Sequence, residues 1–62
     1  MTHYTLVIPD GESLGAAELL GQGWRAGMTI YRGGDGVPNL RVVDVLEADD
    51  PEVFGILVVE ET

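Results

Sequence analysis

The chain has no cysteine, no lysine and one histidine, and each shortage removes a class of chemistry. Without cysteine there is no thiol nucleophile, and neither a disulfide nor a thiolate-ligated metal, two common supports of small proteins. Without lysine, three arginines stand against eleven carboxylates and the net charge is −8. Such a chain has little with which to neutralise phosphates, so neither nucleic acid nor an anionic membrane is an expected partner. The single imidazole, His3, lies near the N-terminus, where nothing fixes it against Ser13 and a carboxylate, so no Ser-His-Asp set is assembled. One tryptophan, two tyrosines and one phenylalanine are too few for the aromatic groove that docks proline-rich peptides. No apolar run approaches the ~20 residues of a membrane-spanning helix. No basic segment followed by an apolar one marks a secretory leader, and the cytoplasm is the expected compartment.

What the chain does have is a run of strand-formers, Val53-Phe54-Gly55-Ile56-Leu57-Val58-Val59, closed by Glu60-Glu61. The run has no polar face. A strand that is apolar on both sides needs cover on both sides. In 62 residues, read as one domain over 1–62, that cover comes from the rest of the chain or from a second copy. Domains of this size bury only about 60% of their unfolded surface, and with disulfides and metals gone, self-association is the remaining common source of stability.

Tyr4-Thr5-Leu6-Val7-Ile8 reads as a first strand with Tyr4, Leu6 and Ile8 on one face, ended by the turn residues Pro9-Asp10-Gly11. Residues 12–20 are ambiguous. Ala16-Ala17-Glu18-Leu19-Leu20 has helix propensity, with Asp10 or Ser13 as a cap and Gly21 as a stop, but Gly15 falls inside the first turns. Read as a strand, the segment makes a hairpin about Asp10-Gly11 with Leu14, Ala16 and Leu20 on one face; the strand is preferred. Gly21, Gly23 and Gly27 around Trp24-Arg25 make a loop or corner, and Met28 to Tyr31 a third strand with Met28 and Ile30 inward. After the Gly33-Gly34-Asp35-Gly36 turn, Leu40 to Leu46 is a fourth strand whose alternation slips, which predicts a bulge or bend near Val42-Val43. The apolar run is then the fifth strand, placed centrally between residues 40–46 and 4–8, with Phe54, Ile56 and Val58 in the core. Leu57 and Val59 face the other way as a patch for a second subunit or partner, unless Leu19-Leu20 covers them.

The succession Asp10-Gly11-Glu12-Ser13-Leu14-Gly15, Trp24-Arg25-Ala26-Gly27-Met28-Thr29-Ile30, Arg41-Val42-Val43-Asp44-Val45 and Phe54-Gly55-Ile56-Leu57-Val58-Val59-Glu60 resembles small acidic uncharacterised proteins of high-GC bacteria. It is also similar to the strand order of SH3-like barrels, in which a glycine opens a strand and a later strand carries a Val-x-Val core. The resemblance covers nearly the whole chain. It implies a binding or structural module without catalytic residues.

The remaining constellations carry little chemistry. Gly21-Gln22-Gly23-Trp24-Arg25-Ala26-Gly27 is one residue off the dinucleotide fingerprint and lacks its βαβ setting, and Gly33 to Gly36 lacks the Lys-Ser/Thr of a phosphate loop. Asp49, Asp50 and Glu52 have the oxygen ligands of a Ca²⁺ or Mg²⁺ site, but Pro51 interrupts the alternation such a loop needs, so they read as a solvated acidic turn. Residues 19–34 contain no acid and set Arg25 and Arg32 beside Trp24 and Tyr31, the residue types that dominate binding hot spots. Trp24 serves equally well as a plug for one end of a barrel.

The sequence is therefore read as an all-β, SH3-like small barrel of about five antiparallel strands, with an α+β form keeping a short helix near 13–20 as its rival. Its expected role is that of a non-enzymatic binding or assembly module working through protein–protein contacts, with itself as a homodimer or with a protein partner. The expected partner-binding residues are Trp24, Arg25, Tyr31, Arg32, Leu57 and Val59; no catalytic residue, cofactor or metal is expected. The alternative is an acidic inhibitor or DNA mimic that presents carboxylates to a basic nucleic-acid enzyme.

Overall fold

A computed structural model describes residues 2–62. Five strands and no helix make one curled, mixed sheet that forms a half-barrel. The strands are β1 (Thr2–Val7), β2 (Ser13–Leu19), β3 (Thr29–Ile30), β4 (Leu40–Leu46) and β5 (Gly55–Glu61), in the spatial order β2-β1-β5-β4-β3.

The β1–β2 hairpin turns through Pro9-Asp10-Gly11. Ile8 and Glu12 close it by a backbone bond of 2.9 Å, the Asp10 carboxylate accepts the Glu12 N–H at 2.8 Å, and Gly11 takes φ +99°. This settles residues 13–19 as strand. Gly15 has φ +97°, outside any right-handed helix, and its N–H turns to Ser13 Oγ at 3.1 Å where the register slips opposite Leu6 and Val7. A methyl group at Gly15 would touch nothing, so an alanine there would suffer the backbone penalty alone, roughly 1–3 kcal/mol. The helix-forming alanines are overridden by one glycine and by a hairpin partner.

β5 is central, flanked by β1 and β4 as expected, and the anticipated bulge lies in β4: Val42 pairs with Val59 and Asp44 with Val58, leaving Val43 extra. Two expectations are corrected. β1 and β5 run parallel, Tyr4 beside Gly55 and Leu6 beside Leu57, so the sheet is not all antiparallel. No hairpin joins these two strands, so no turn imposes a direction, and the parallel pair occupies the sheltered centre that such pairs favour. The faces of β5 are also inverted. Leu57 and Val59 are 0% exposed and join Tyr4, Leu6, Ile30, Leu40 and Val42 in the core, whereas Phe54 is 56% exposed and Ile56 and Val58 are half-buried on the opposite face. Neighbouring strands share a face residue by residue, and β1 puts Tyr4 and Leu6 inward, so its partners Gly55 and Leu57 must also point inward.

Ala17, Leu19 and Trp24 pack against this core. Leu57 and Val59 are not covered by the Leu19-Leu20 segment, since β2 borders only β1 and Leu20 is exposed; they are buried because they face inward. The third strand is shorter than expected, with Ile30 inward but Met28 at the surface.

Replacing Leu57 with Ala is expected to cost about 2–5 kcal/mol, a large part of the stability of so small a domain. Phe54→Ala, which loses an edge-to-face contact with Tyr4 (centroids 5.7 Å apart), costs about 0.5–1.5 kcal/mol. Denaturant unfolding of the two variants checks the order. Burial also holds the Tyr4 phenol above its ordinary pKa of 10.0, because it disfavours the tyrosinate. The unfolded chain ionises first, so this contribution to stability is intact below the ordinary value and is lost as pH rises beyond it. Thermal unfolding across alkaline pH is expected to show that fall, and Tyr4→Phe to flatten it.

Candidate binding surfaces

Two surfaces of the half-barrel lack the cover that their residues call for. The first is the outer face of the sheet, opposite the core. Cross-strand register sets Thr5 beside Ile56 and Val7 beside Val58 on one side of β5, and Leu46 beside Ile56 on the other. Val43, Ile56 and Val58 are half-buried only by their neighbours, Leu46 is exposed, and no second layer of strands or helices lies over them among the described residues. Two polar side-chain pairs frame this aliphatic strip. His3 Nε2 lies 3.2 Å from a Glu18 carboxylate oxygen on the β1–β2 side, and the Arg41 guanidinium grips Glu60 on the β4–β5 side. Asp44 adjoins the strip with its carboxylate accepting the Val45 N–H at 2.8 Å. An apolar centre with a charged rim is the anatomy of a protein–protein interface.

The second surface is the open side of the half-barrel. β2 and β3 are the two edges of the curled sheet and they do not touch. Between them lies a cleft of about 300 Å³. Leu14, Ala16 and Ala17 of β2 form one wall, Ile30 the other, and Leu6 and Leu40 the floor. Arg32 is the one charged residue lining it. Its backbone N–H is fixed by Asn39 Oδ1 at 3.1 Å, while its guanidinium, like that of Arg25, pairs with no carboxylate among the described residues.

Comparison with protein-family models, with curated proteins and with solved structures returned no match. The surfaces therefore rest on their own geometry.

Of the residues expected to bind a partner, Arg32 alone lines the cleft. Trp24 lies half-buried against the core with its indole N–H donating to the Leu20 carbonyl at 3.2 Å, which makes it the plug rather than a projecting anchor. Arg25 is exposed on the same loop, and Tyr31 is 80% exposed just beyond β3. Leu57 and Val59 are core residues, so a patch built on them does not exist. The surplus face of β5 is real, but it carries Ile56 and Val58. Leu14, 49% exposed at the cleft, was visible in the sequence only as one of several apolar positions on an uncertain segment.

The acidic turn behaves as a turn. Asp50 Oδ1 accepts the Glu52 N–H at 2.9 Å and the Asp50 carbonyl accepts that of Val53 at 3.1 Å. Among the described residues no group of three metal-binding side chains gathers, and no helix long and apolar enough to cross a membrane occurs.

Proposed function

We propose that this protein is a non-enzymatic assembly module of SH3-like type that associates with a second copy through the outer face of its sheet. The observation that carries this reading is the composition of β5. Its inner residues Leu57 and Val59 are fully covered by the chain, and its outer residues Ile56 and Val58, with Val7, Val43 and Leu46, are covered by nothing beyond the sheet. Two such faces stack at about 10 Å, the separation of sheets in a sandwich. The pair Arg41–Glu60 lowers the charge of the rim, so a chain of net charge −8 meets its copy where repulsion is reduced. A two-fold axis through β5 makes the contact self-complementary. The cytoplasm, with its anionic competitors, suits a surface of this kind.

A second reading, an acidic mimic that occupies the basic site of a nucleic-acid enzyme, draws on the exposure of every Asp and Glu except the half-buried Glu60. The two readings respond oppositely to salt: screening relieves repulsion between copies and weakens a mimic's hold on a basic protein.

Sedimentation equilibrium over a range of concentration tests the assembly reading. The wild-type chain is expected to form dimers, more readily as salt rises. Val58→Lys is expected to be monomeric with its strand circular dichroism retained, and Leu14→Asp, on the other side of the sheet, to dimerise as wild type. A wild-type chain that stays monomeric at its highest soluble concentration overturns the reading.

A further inference from the structure

We propose that the open side of the half-barrel is a strand-addition site for an extended peptide that carries one large apolar side chain two residues from a carboxylate, so that both project from the same face of the added strand. This site is independent of the outer-face association. Three observations meet there.

The first is the free edge of β2. Seven residues long, it has one charged residue, Glu18, whose carboxylate is turned to His3 at 3.2 Å. Natural edges are blunted by shortness, charged side chains, proline or bulges. The opposite edge, β3, is blunted by its length of two residues, whereas β2 is seven residues long and without proline, its irregularity is confined to the Ser13–Gly15 end, and its one charge is Glu18. Its unpaired N–H and C=O groups offer an added strand main-chain hydrogen bonds, which are the source of affinity in this mode of recognition.

The second is the size of the cleft beside that edge. About 300 Å³ is the lower end of the ~300–1,000 Å³ range of small-molecule pockets, and this cleft is open to solvent. It has room for one large side chain or a small ligand. Apart from Arg32 its lining side chains are aliphatic, but about half of the lining surface is polar, so it suits an apolar side chain accompanied by a polar group.

The third is Arg32. In a chain with eleven carboxylates, a guanidinium at an apolar cleft with no acid lining it and no ion-pair partner among the described residues is an exception to the electrostatics of the whole surface. A planar fork of donors is suited to a carboxylate held in two-point contact. Short fatty acids share the apolar-plus-carboxylate chemistry, but they make no use of the β2 edge, and the edge decides for a peptide.

The test is a titration of ¹⁵N-labelled full-length protein with the acetylated, amidated hexapeptide Thr-Phe-Val-Glu-Val-Thr, in which Phe and Glu share one face. The same peptide with Lys for Glu, and octanoate, serve as comparison ligands. The acidic peptide is expected to shift β2, Ile30 and Arg32 amides and to slow exchange at alternate β2 amides. Arg32→Gln is expected to weaken it about tenfold, as is the Glu-to-Lys change in the peptide. Leu14→Asp abolishes binding, while Val58→Lys, which acts on the outer face, leaves it intact, so failure of the dimer and failure of this site are read separately. The positions altered at the cleft are exposed, and circular dichroism confirms that the variants fold. The proposal is overturned if β2 exchange is unchanged at saturation, or if the Lys peptide or Arg32→Gln binds as well as the original pair. It is equally overturned if octanoate binds and the peptide does not, since the cleft is then a site for a small apolar acid.

Discussion

Tyr4 on β1 lies beside Gly55 on β5, and Leu6 beside Leu57, and the orientation of the sheet's apolar content follows from that parallel pairing. β1 has a clean alternation, so its inward residues are not in doubt. Gly55 provides room for the largest core side chain: a Cβ there would already be in van der Waals contact with the Tyr4 ring, at 3.5 Å from its edge. Once Gly55 is inward, Leu57 and Val59 follow at intervals of two and meet Val42 from the other flank, where Val42 pairs with Val59. A slip of one residue between β1 and β5 would exchange the whole set for Ile56 and Val58 and leave Tyr4 against a branched side chain.

The same pairing explains why the sheet stays open. A central β5 bonded to β1 on one side and β4 on the other pushes the hairpin strands β2 and β3 to the two edges. They would have to bond to each other to close a barrel, but β3 ends after two residues as the chain enters the Gly33-Gly34 segment. The loop that joins the two edges places Trp24 against the core and so covers part of the gap. What is left uncovered is the cleft between Leu14 and Ile30. The binding site proposed there is thus a consequence of a barrel that lacks one strand-to-strand closure, and an added peptide strand supplies part of what is missing.

Much of this architecture was legible in the residues. The turn at Asp10-Gly11, the central place of β5 and the bulge at Val43 each follow from a local signal: turn chemistry, two-sided hydrophobicity and a break in alternation. The faces of β5 were not legible, for the reason that made the segment conspicuous. A strand with Ile, Leu, Val and Val in succession has no periodicity from which to read a side, and only its register against β1 fixes one. The direction of β1 relative to β5 was hidden too, because no turn connects them. Of the site, Arg32 was within reach as a cation in an acid-free stretch. Leu14 was not, because its role depends on an edge that exists only once five strands are ordered. Trp24, chosen as a hot-spot residue type, illustrates the opposite hazard: a large aromatic in a small domain is drawn into the core, where its area counts most.

Charge gives the two surfaces different meanings. Net repulsion between copies keeps an apolar, open-edged sheet from indiscriminate association, since any approach brings like charges together. Repulsion is weakest where carboxylates are already engaged. On the outer face Glu60 is bound to Arg41, and that is the face proposed for a second copy. At the cleft the cation is instead left free, and a free guanidinium in an acidic protein selects for a ligand carrying the charge that the rest of the surface repels. Such a ligand reaches Arg32 only if its apolar side chain and its backbone repay the approach, which restricts the site to segments that present all three features together. In the proposed site, by the same reasoning, the acidity of the chain is what lets a single arginine confer selectivity.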